Sequence, residues 1–485
     1  MKMLKLIYPI LLVLLISSCT NEPKQEQTEK AEPKESKETS ELSVNGFKVI
    51  FKPSTKDVVS ARFYIRGGSA NLTAENQGIE KLALNTITNG ATENLDRTQF
   101  ATALEKLGSS IDNNCNYDAS NISLTCVSQS WDESWKLFTD AILNPSFNED
   151  EFVLEREKLT TTAQRNESDP DNHLRNMAMN FSFENLSYAK NPNGTANTVP
   201  NLTLQQTKEH YQSTLTKSQC FLVVVGKMSV ADLKEKVKSS FGKLPDGNFQ
   251  IVAEEPLNIT ESAVYAEQRS IATNYMRGYM NAPKVGTEDE VPIRLAMSIL
   301  RDRYFNELRT KRSLTYSPGS FYPSGIVGNP YTAIYVSTIY PNKSAQVMID
   351  EIKKIKTEGF SETELKDKKA GFVTRNLMGL ETNSSQTNLL GRGELVGDWK
   401  ASDKFTSQVE NVTIDQLNKS FDKYTQAIKW VYLGDKAKVD ASILKQPLVE
   451  VAETKVVNKK KKKQPNDKKK KEPNNKKNNN KKTSI

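Results

Sequence analysis

Thr203-Leu204-Gln205-Gln206, followed by Tyr211 and then by Val224-Val225-Gly226-Lys227, returns about 210 residues later in the chain. The later copy reads Thr413-Ile414-Asp415-Gln416, Phe421 and Tyr432-Leu433-Gly434-Asp435. Upstream of each set, Phe147-Asn148-Glu149-Asp150-Glu151 is matched by Phe360-Ser361-Glu362-Thr363-Glu364. Three matches in one order at a near-constant spacing mark an internal duplication. Each copy mixes helical periods with short alternating runs, which is the pattern of an α+β protein. The expectation is two tandem homologous domains, each an antiparallel sheet packed with helices. The copies span 42–248 and 264–450, with a linker at 249–263.

Within the first copy, 46–51 and 61–66 alternate like strands, and the second run is closed by Gly67-Gly68. Residues 77–89 are helical, with Ile79, Leu82, Ala83, Thr86 and Ile87 on one face. A second helix, 100–107, stops at Gly108. Residues 110–117 and 121–127 predict a hairpin turning around Asp118-Ala119-Ser120. Helices follow at 130–143, at about 149–167 and at 204–215, and a buried strand at 219–225 ends the copy.

The two ends stand apart from this design. Residues 1–19 read as an export signal: Lys2 and Lys5 precede an apolar run at 6–16, which is shorter than the ~20 residues a bilayer span needs. The run ends in Ile16-Ser17-Ser18-Cys19, which resembles a bacterial lipobox, so Cys19 is the expected lipidation site. Thr20 is not Asp, a pattern that resembles sorting to the outer membrane. Residues 20–41 are rich in Glu, Lys, Gln and Ser and read as a flexible tether. Residues 451–485 are expected to form a disordered Lys/Asn-rich tail.

The formal charge of +8 belongs to that tail. From Lys459 to Ile485, thirteen lysines against Asp467 and Glu472 give +11, which leaves −3 for everything upstream. A nucleic-acid partner is not expected, because no aromatic residue interleaves the lysines for stacking. An anionic surface is the sharper candidate for the tail, and a solvated end with no ligand the plainer one. At 36% hydrophobic and 26% charged residues, the composition excludes a polytopic membrane protein. With Cys19 lipidated, Cys115, Cys126 and Cys220 are an odd number and argue against a disulfide framework.

The tandem plan resembles the insulinase/pitrilysin family of metallopeptidases. The segments that carry the likeness occur in family order: Gly67-Gly68-Ser69, Gly78-Ile79 opening a helix, Asn89-Gly90-Ala91-Thr92 closing it, and Leu104-Glu105-Lys106-Leu107-Gly108. Arg156-Glu157 and Asp169-Pro170 then flank the core of the long helix. In active relatives the first helix bears H-x-x-E-H, two zinc-binding histidines one turn apart with a glutamate that polarises the metal-bound water. The long helix supplies an acidic third ligand. The resemblance puts these roles at Lys81, Leu84, Asn85 and Thr162, so no catalytic residue and no metal ligand is expected in this chain. His173 and His210, the two histidines present, are placed by the family away from that face and read as ordinary polar residues on or near helices.

A second family signature is retained. Arg309 and Tyr316, in Leu308-Arg309 and Leu314-Thr315-Tyr316, match an Arg/Tyr pair that in the family reaches from the second domain to bound substrate. A guanidinium suits a peptide carbonyl, and a phenol suits a developing oxyanion. The plainer alternative is an Arg at a helix C-terminus and a Tyr packed in a strand.

The resemblance therefore implies a non-catalytic subunit of an insulinase-like zinc metalloprotease. It would pair with a zinc-bearing paralogue, with zinc in that partner, and Arg309 and Tyr316 would touch peptide substrate. The expected location is the bacterial cell envelope, lipid-anchored and facing the periplasm. A membrane-anchored peptide-binding or scaffolding lipoprotein without a proteolytic role is the alternative, and an active enzyme with an unrecognised site is a third.

Overall fold

The structure is a computed structural model that describes residues 38–251, 254–323 and 325–448. The export signal, Cys19, nearly all of the tether and the Lys-rich tail lie outside the described residues. Among the described residues no helix is long and apolar enough to cross a membrane.

Two sheets carry the duplication. The first is built from β1 (Ser40–Val44), β2 (Phe47–Pro53), β3 (Val58–Arg66), β4 (Ser110–Cys115), β5 (Ala119–Val127) and β6 (Cys220–Gly226), in the order β1-β2-β6-β3-β5-β4. The second comprises β7 (Ala263–Gln268), β8 (Asn274–Met280), β9 (Gly319–Phe321), β10 (Thr332–Thr338) and β11 (Lys429–Gly434), in the order β7-β11-β8-β10-β9. With β1 removed, the first order superposes on the second strand for strand. The expected antiparallel pairing holds except for one pair in each sheet: β2 with β6 and β7 with β11 are parallel. The late strand of each copy returns after a helical excursion and inserts between the first two long strands. Such a crossover joins strands running the same way. β6, Cys-Phe-Leu-Val-Val-Val-Gly, is buried at every residue, as a strand covered on both faces must be.

The repeated motifs occupy equivalent places. Thr203 and Thr413 each close a capping box with a Gln three residues on, opening the helices Leu204–Thr214 and Ile414–Tyr424. Asn148 and Ser361 cap the long helices Glu149–Ser168 and Glu362–Gly379. The paired aromatics meet as well. Phe147 and Tyr211 lie 5.7 Å apart between ring centroids, and Phe360 and Phe421 lie 5.2 Å apart edge to face. Each copy encloses its own apolar core, around Phe63, Phe138 and Leu222 in the first and Ile299, Met348 and Trp430 in the second. Cys115, Cys126 and Cys220 are unpaired and buried, and all three pack in the first core.

The hairpin differs from the sequence-based expectation. The hairpin turns earlier than expected, at Asn116-Tyr117-Asp118. Ala119 and Ser120 already belong to β5, where Ser120 faces Cys115. Asp118 leaves the turn to grip the second half: its carboxylate accepts from the backbone N–H of Val327 and Gly328, each at 2.8 Å, and from the Tyr188 hydroxyl. Asp169-Pro170 is a break between helices. The Asp169 side chain caps the helix Pro170–Ser182, which starts at a proline with no N–H to lose.

The outer face of each sheet is covered by a helix from the other half. Leu174, Met177 and Ala178 of the helix Pro170–Ser182 pack with Tyr279, Val431 and Leu433 of β8 and β11. Reciprocally, Leu390 of the helix Asn383–Leu395 packs with Tyr64, Phe221 and Val223 of β3 and β6. The second crossing is close: a Cβ on Gly391 would stand 2.2 Å from the Tyr64 ring, so the position needs a glycine. Glu394, only 5% exposed, fixes the end of that helix by accepting from Arg66 at 2.6 Å and pairing with Lys48 at 2.8 Å.

Candidate functional site

The helix Ile79–Asn89 starts at Gly78, whose φ of 89° lies in the left-handed region. A Cβ there would stand 2.7 Å from the Cα of Gly194, so the glycine also admits a neighbouring loop. From that start the helix turns Lys81 and Asn85, one turn apart, toward β4. Both meet Asn113. The Lys81 ammonium donates to Asn113 Oδ1 at 2.7 Å, while Asn113 Nδ2 donates to Thr88 Oγ1 at 2.8 Å and to Asn85 Oδ1 at 3.3 Å. A cation and a side-chain amide thus occupy the two positions where the sequence resemblance expects zinc-binding imidazoles in active relatives. Leu84 is fully buried in the first core and offers no base. Thr162 is exposed on the long helix, with its hydroxyl turned back to the Lys158 carbonyl at 2.9 Å.

These residues do not fit zinc. An ammonium repels the ion, Leu84 has no donor atom, and neutral amide and hydroxyl oxygens are weak ligands for it. Among the described residues no group of three or more His, Cys, Asp and Glu side chains is arranged to hold a metal. His210 comes closer to this helix than expected, with Nε2 3.4 Å from Oε2 of the buried Glu80. Glu80 is also reached by Asn71 Nδ2 at 3.3 Å, so the two form part of a polar network. His173 is engaged elsewhere, with Nε2 2.9 Å from Glu267 Oε1 on β7.

The second half builds a different surface from the corresponding helix. The helix Glu290–Tyr304 does not stop where its counterpart does. It runs on through a π-helical turn, Phe305–Thr310, a local widening often seen at functional positions. Arg309 leaves this turn between two rings: its guanidinium carbon lies 4.2 Å from the Tyr316 ring centroid and 4.8 Å from that of Phe305. Tyr316 lies in an irregular segment before β9 and is 77% exposed, so it is not a packed strand residue. Glu307 anchors the segment by pairing with Lys311 at 2.5 Å and with Arg312. The hydrogen bond from Lys311, aided by Arg312, holds the Glu307 carboxyl below the usual range.

Arg309 and Tyr316 are thus brought together, as are Lys81 and Asn85. Among the described residues, no hydrogen bond or ring contact of Arg309 or Tyr316 reaches Lys81, Asn85 or Asn113. Two participants were not foreseen from sequence. Asn113 lies in a strand run whose pairing partner alone brings it over the helix, and Phe305 reads as an ordinary helix residue.

Comparison with known proteins agrees with this architecture. Residues 48–191 match the family described as Insulinase (Peptidase family M16), and residues 201–372 match the Peptidase M16 inactive domain. An uncharacterized zinc protease of Mycobacterium tuberculosis is 24% identical over 302 residues, covering 58% of this chain and 66% of the relative. One of Streptomyces coelicolor is 22% identical over 296 residues, covering 57% and 63%. The chain thus spans about two thirds of the length of these relatives. Among solved structures, a peptidase M16 inactive domain from Pseudomonas fluorescens superposes with a TM-score of 0.74 at 20% identity, covering 82% of this chain and 98% of that one. A protease from Helicobacter pylori superposes at 0.75 and 17%, covering 82% and 99%. With both halves matched and the duplicated α+β fold in place, the chain belongs to the insulinase family of M16 peptidases.

Proposed function

We propose that this chain is a non-catalytic subunit of an insulinase-like zinc metalloprotease, pairing with a zinc-bearing paralogue and helping to hold peptide substrate. The observation that carries this reading is the contrast at the two equivalent helices. The helix of the first half has an ammonium bonded to an amide where relatives bind metal. The helix of the second half presents Arg309, stacked on an exposed Tyr316. An arginine fixed between rings keeps its N–H groups for a peptide carbonyl, and the exposed phenol lies beside it. Zinc, in this reading, resides in the partner and supplies the water activation this chain lacks. Lipidation at Cys19 and a place in the outer membrane facing the periplasm belong to the same proposal, as does attachment of the Lys-rich tail to an anionic surface.

The test is co-purification from the native membrane, with peptidase assays on the recovered assembly. The expected outcome is a zinc-bearing paralogue in the complex and a fall of about tenfold in kcat/KM on Arg309→Ala, the size of a lost charge-assisted hydrogen bond. Recovery of this chain without such a paralogue, together with unchanged activity for the variant, would overturn the proposal. Stoichiometric zinc on the isolated chain would equally count against it.

A further inference from the structure

A cavity of about 980 Å³ opens in the second half, bounded by the helix Glu290–Tyr304, β9 and the helices Glu362–Gly379, Asn383–Leu395 and Ala401–Asn411. Lys81, Asn85, Arg309 and Tyr316 do not line it. Six of its lining side chains are cationic and two are acidic. Both acids are engaged: Glu290 pairs with Arg294 at 3.1 Å, and Asp398 pairs with Lys404 at 3.9 Å. Lys284, Arg301, Arg375 and Arg392 line the cavity and form no ion pair among the described residues.

Arg392 is the unusual member. It extends from the helix that covers the first sheet, next to Gly391, where the crossing over Tyr64 is closest. Its Nε is buried and has no hydrogen-bond partner. Burial, with Arg294 nearby, lowers its pKa from the usual arginine value. A buried donor of this kind carries a cost unless something accepts from it. Four aromatic rings also line the walls, Phe321, Tyr322, Phe372 and Phe405, with the Arg294 guanidinium 5.1 Å from the Phe405 ring centroid.

We infer that this cavity is a binding site for an acidic peptide segment, its carboxylates received by Arg392 and the unpaired cations and its apolar side chains by the aromatic wall. The volume lies at the upper end for ligand pockets, which run to ~1,000 Å³, and is far larger than inorganic phosphate needs. A peptide brings carboxylates and apolar groups at alternating positions, which suits walls of both kinds. The inference rests on the reading of this chain as a peptide-holding protein and assigns it a ligand class. It does not depend on the partner, so binding is measured on this chain alone, where loss of pairing and loss of the site are told apart.

The experiment is fluorescence anisotropy of the full chain with a labelled hexapeptide alternating glutamate and phenylalanine, and with its glutamine counterpart. The acidic peptide is expected to bind about tenfold more tightly than the neutral one, a margin that shrinks with added salt. Arg392→Gln is expected to weaken the acidic peptide about tenfold and leave the neutral one unchanged. Arg301→Gln and Arg375→Gln, at exposed positions that do not endanger folding, should each weaken it by a smaller factor. Equal affinity for both peptides would overturn the inference. So would indifference to the Arg301 and Arg375 variants, or displacement of the peptide by inorganic phosphate at equal concentration.

Discussion

The helices Ile79–Asn89 and Glu290–Tyr304 hold the same place in two copies of one design, yet they have diverged in opposite directions. The first has been drawn inward. Leu84 lies in the apolar core, and Lys81 and Asn85 bond to Asn113, so this face of the helix is internally satisfied. The second has grown outward. Its extra π-helical turn lifts Arg309 onto Phe305 and Tyr316, which are 44% and 77% exposed. A duplicated fold can thus turn one helix face inward in one copy and extend the equivalent helix toward solvent in the other. The two sites answer to different constraints, burial in one and presentation in the other.

If the halves have diverged in their sites but not in their frames, matched substitutions in the frames should act alike. Tyr211 and Phe421, each 1% exposed, hold equivalent places against Phe147 and Phe360. Tyr211→Ala and Phe421→Ala are each expected to cost about 3–5 kcal/mol by urea unfolding followed by circular dichroism. A large difference between the two would show that one copy has become the lesser contributor to stability. The capping boxes offer the same comparison on a finer scale. Thr203→Ala and Thr413→Ala should each cost about 1 kcal/mol and shift the midpoint by matching amounts.

The smallest effect should appear in the second half alone. Because Lys311 and Arg312 depress the Glu307 carboxyl, its contribution is full above the ordinary glutamate range and is lost as pH falls through the depressed value. Hydrogen-exchange protection factors at residues 311–316 should therefore fall on acidification while those at residues 79–89, whose amides are held in a regular helix, stay high. Glu307→Gln should give the same low protection at neutral pH. Equal response of the two segments would mean that Glu307 does not order the Arg309 surface.

Much of this frame is legible in the sequence because its signals are local. A capping threonine with a glutamine three residues on, a glycine ending an apolar strand and a proline after a capping aspartate each act within one turn of chain. The helix that carries Lys81, Leu84 and Asn85 is legible for the same reason, since Gly78 marks its start. What the sequence does not reveal depends on distant pairing. Asn113 meets Lys81 only through the register of β4 on β5, and the hairpin turn lies two residues before the Asp118-Ala119-Ser120 segment because Asp118 is needed by Val327 and Gly328. Nothing in the residues of the covering helices Pro170–Ser182 and Asn383–Leu395 says which sheet they cover.

That exchange of covering helices limits how the molecule can move. In a clamshell enzyme two lobes part around a flexible strap and each keeps its own skin. Here each lobe wears part of the other, and parting them would strip the apolar backs of both sheets at once. The two halves of this chain are therefore expected to move as one rigid body.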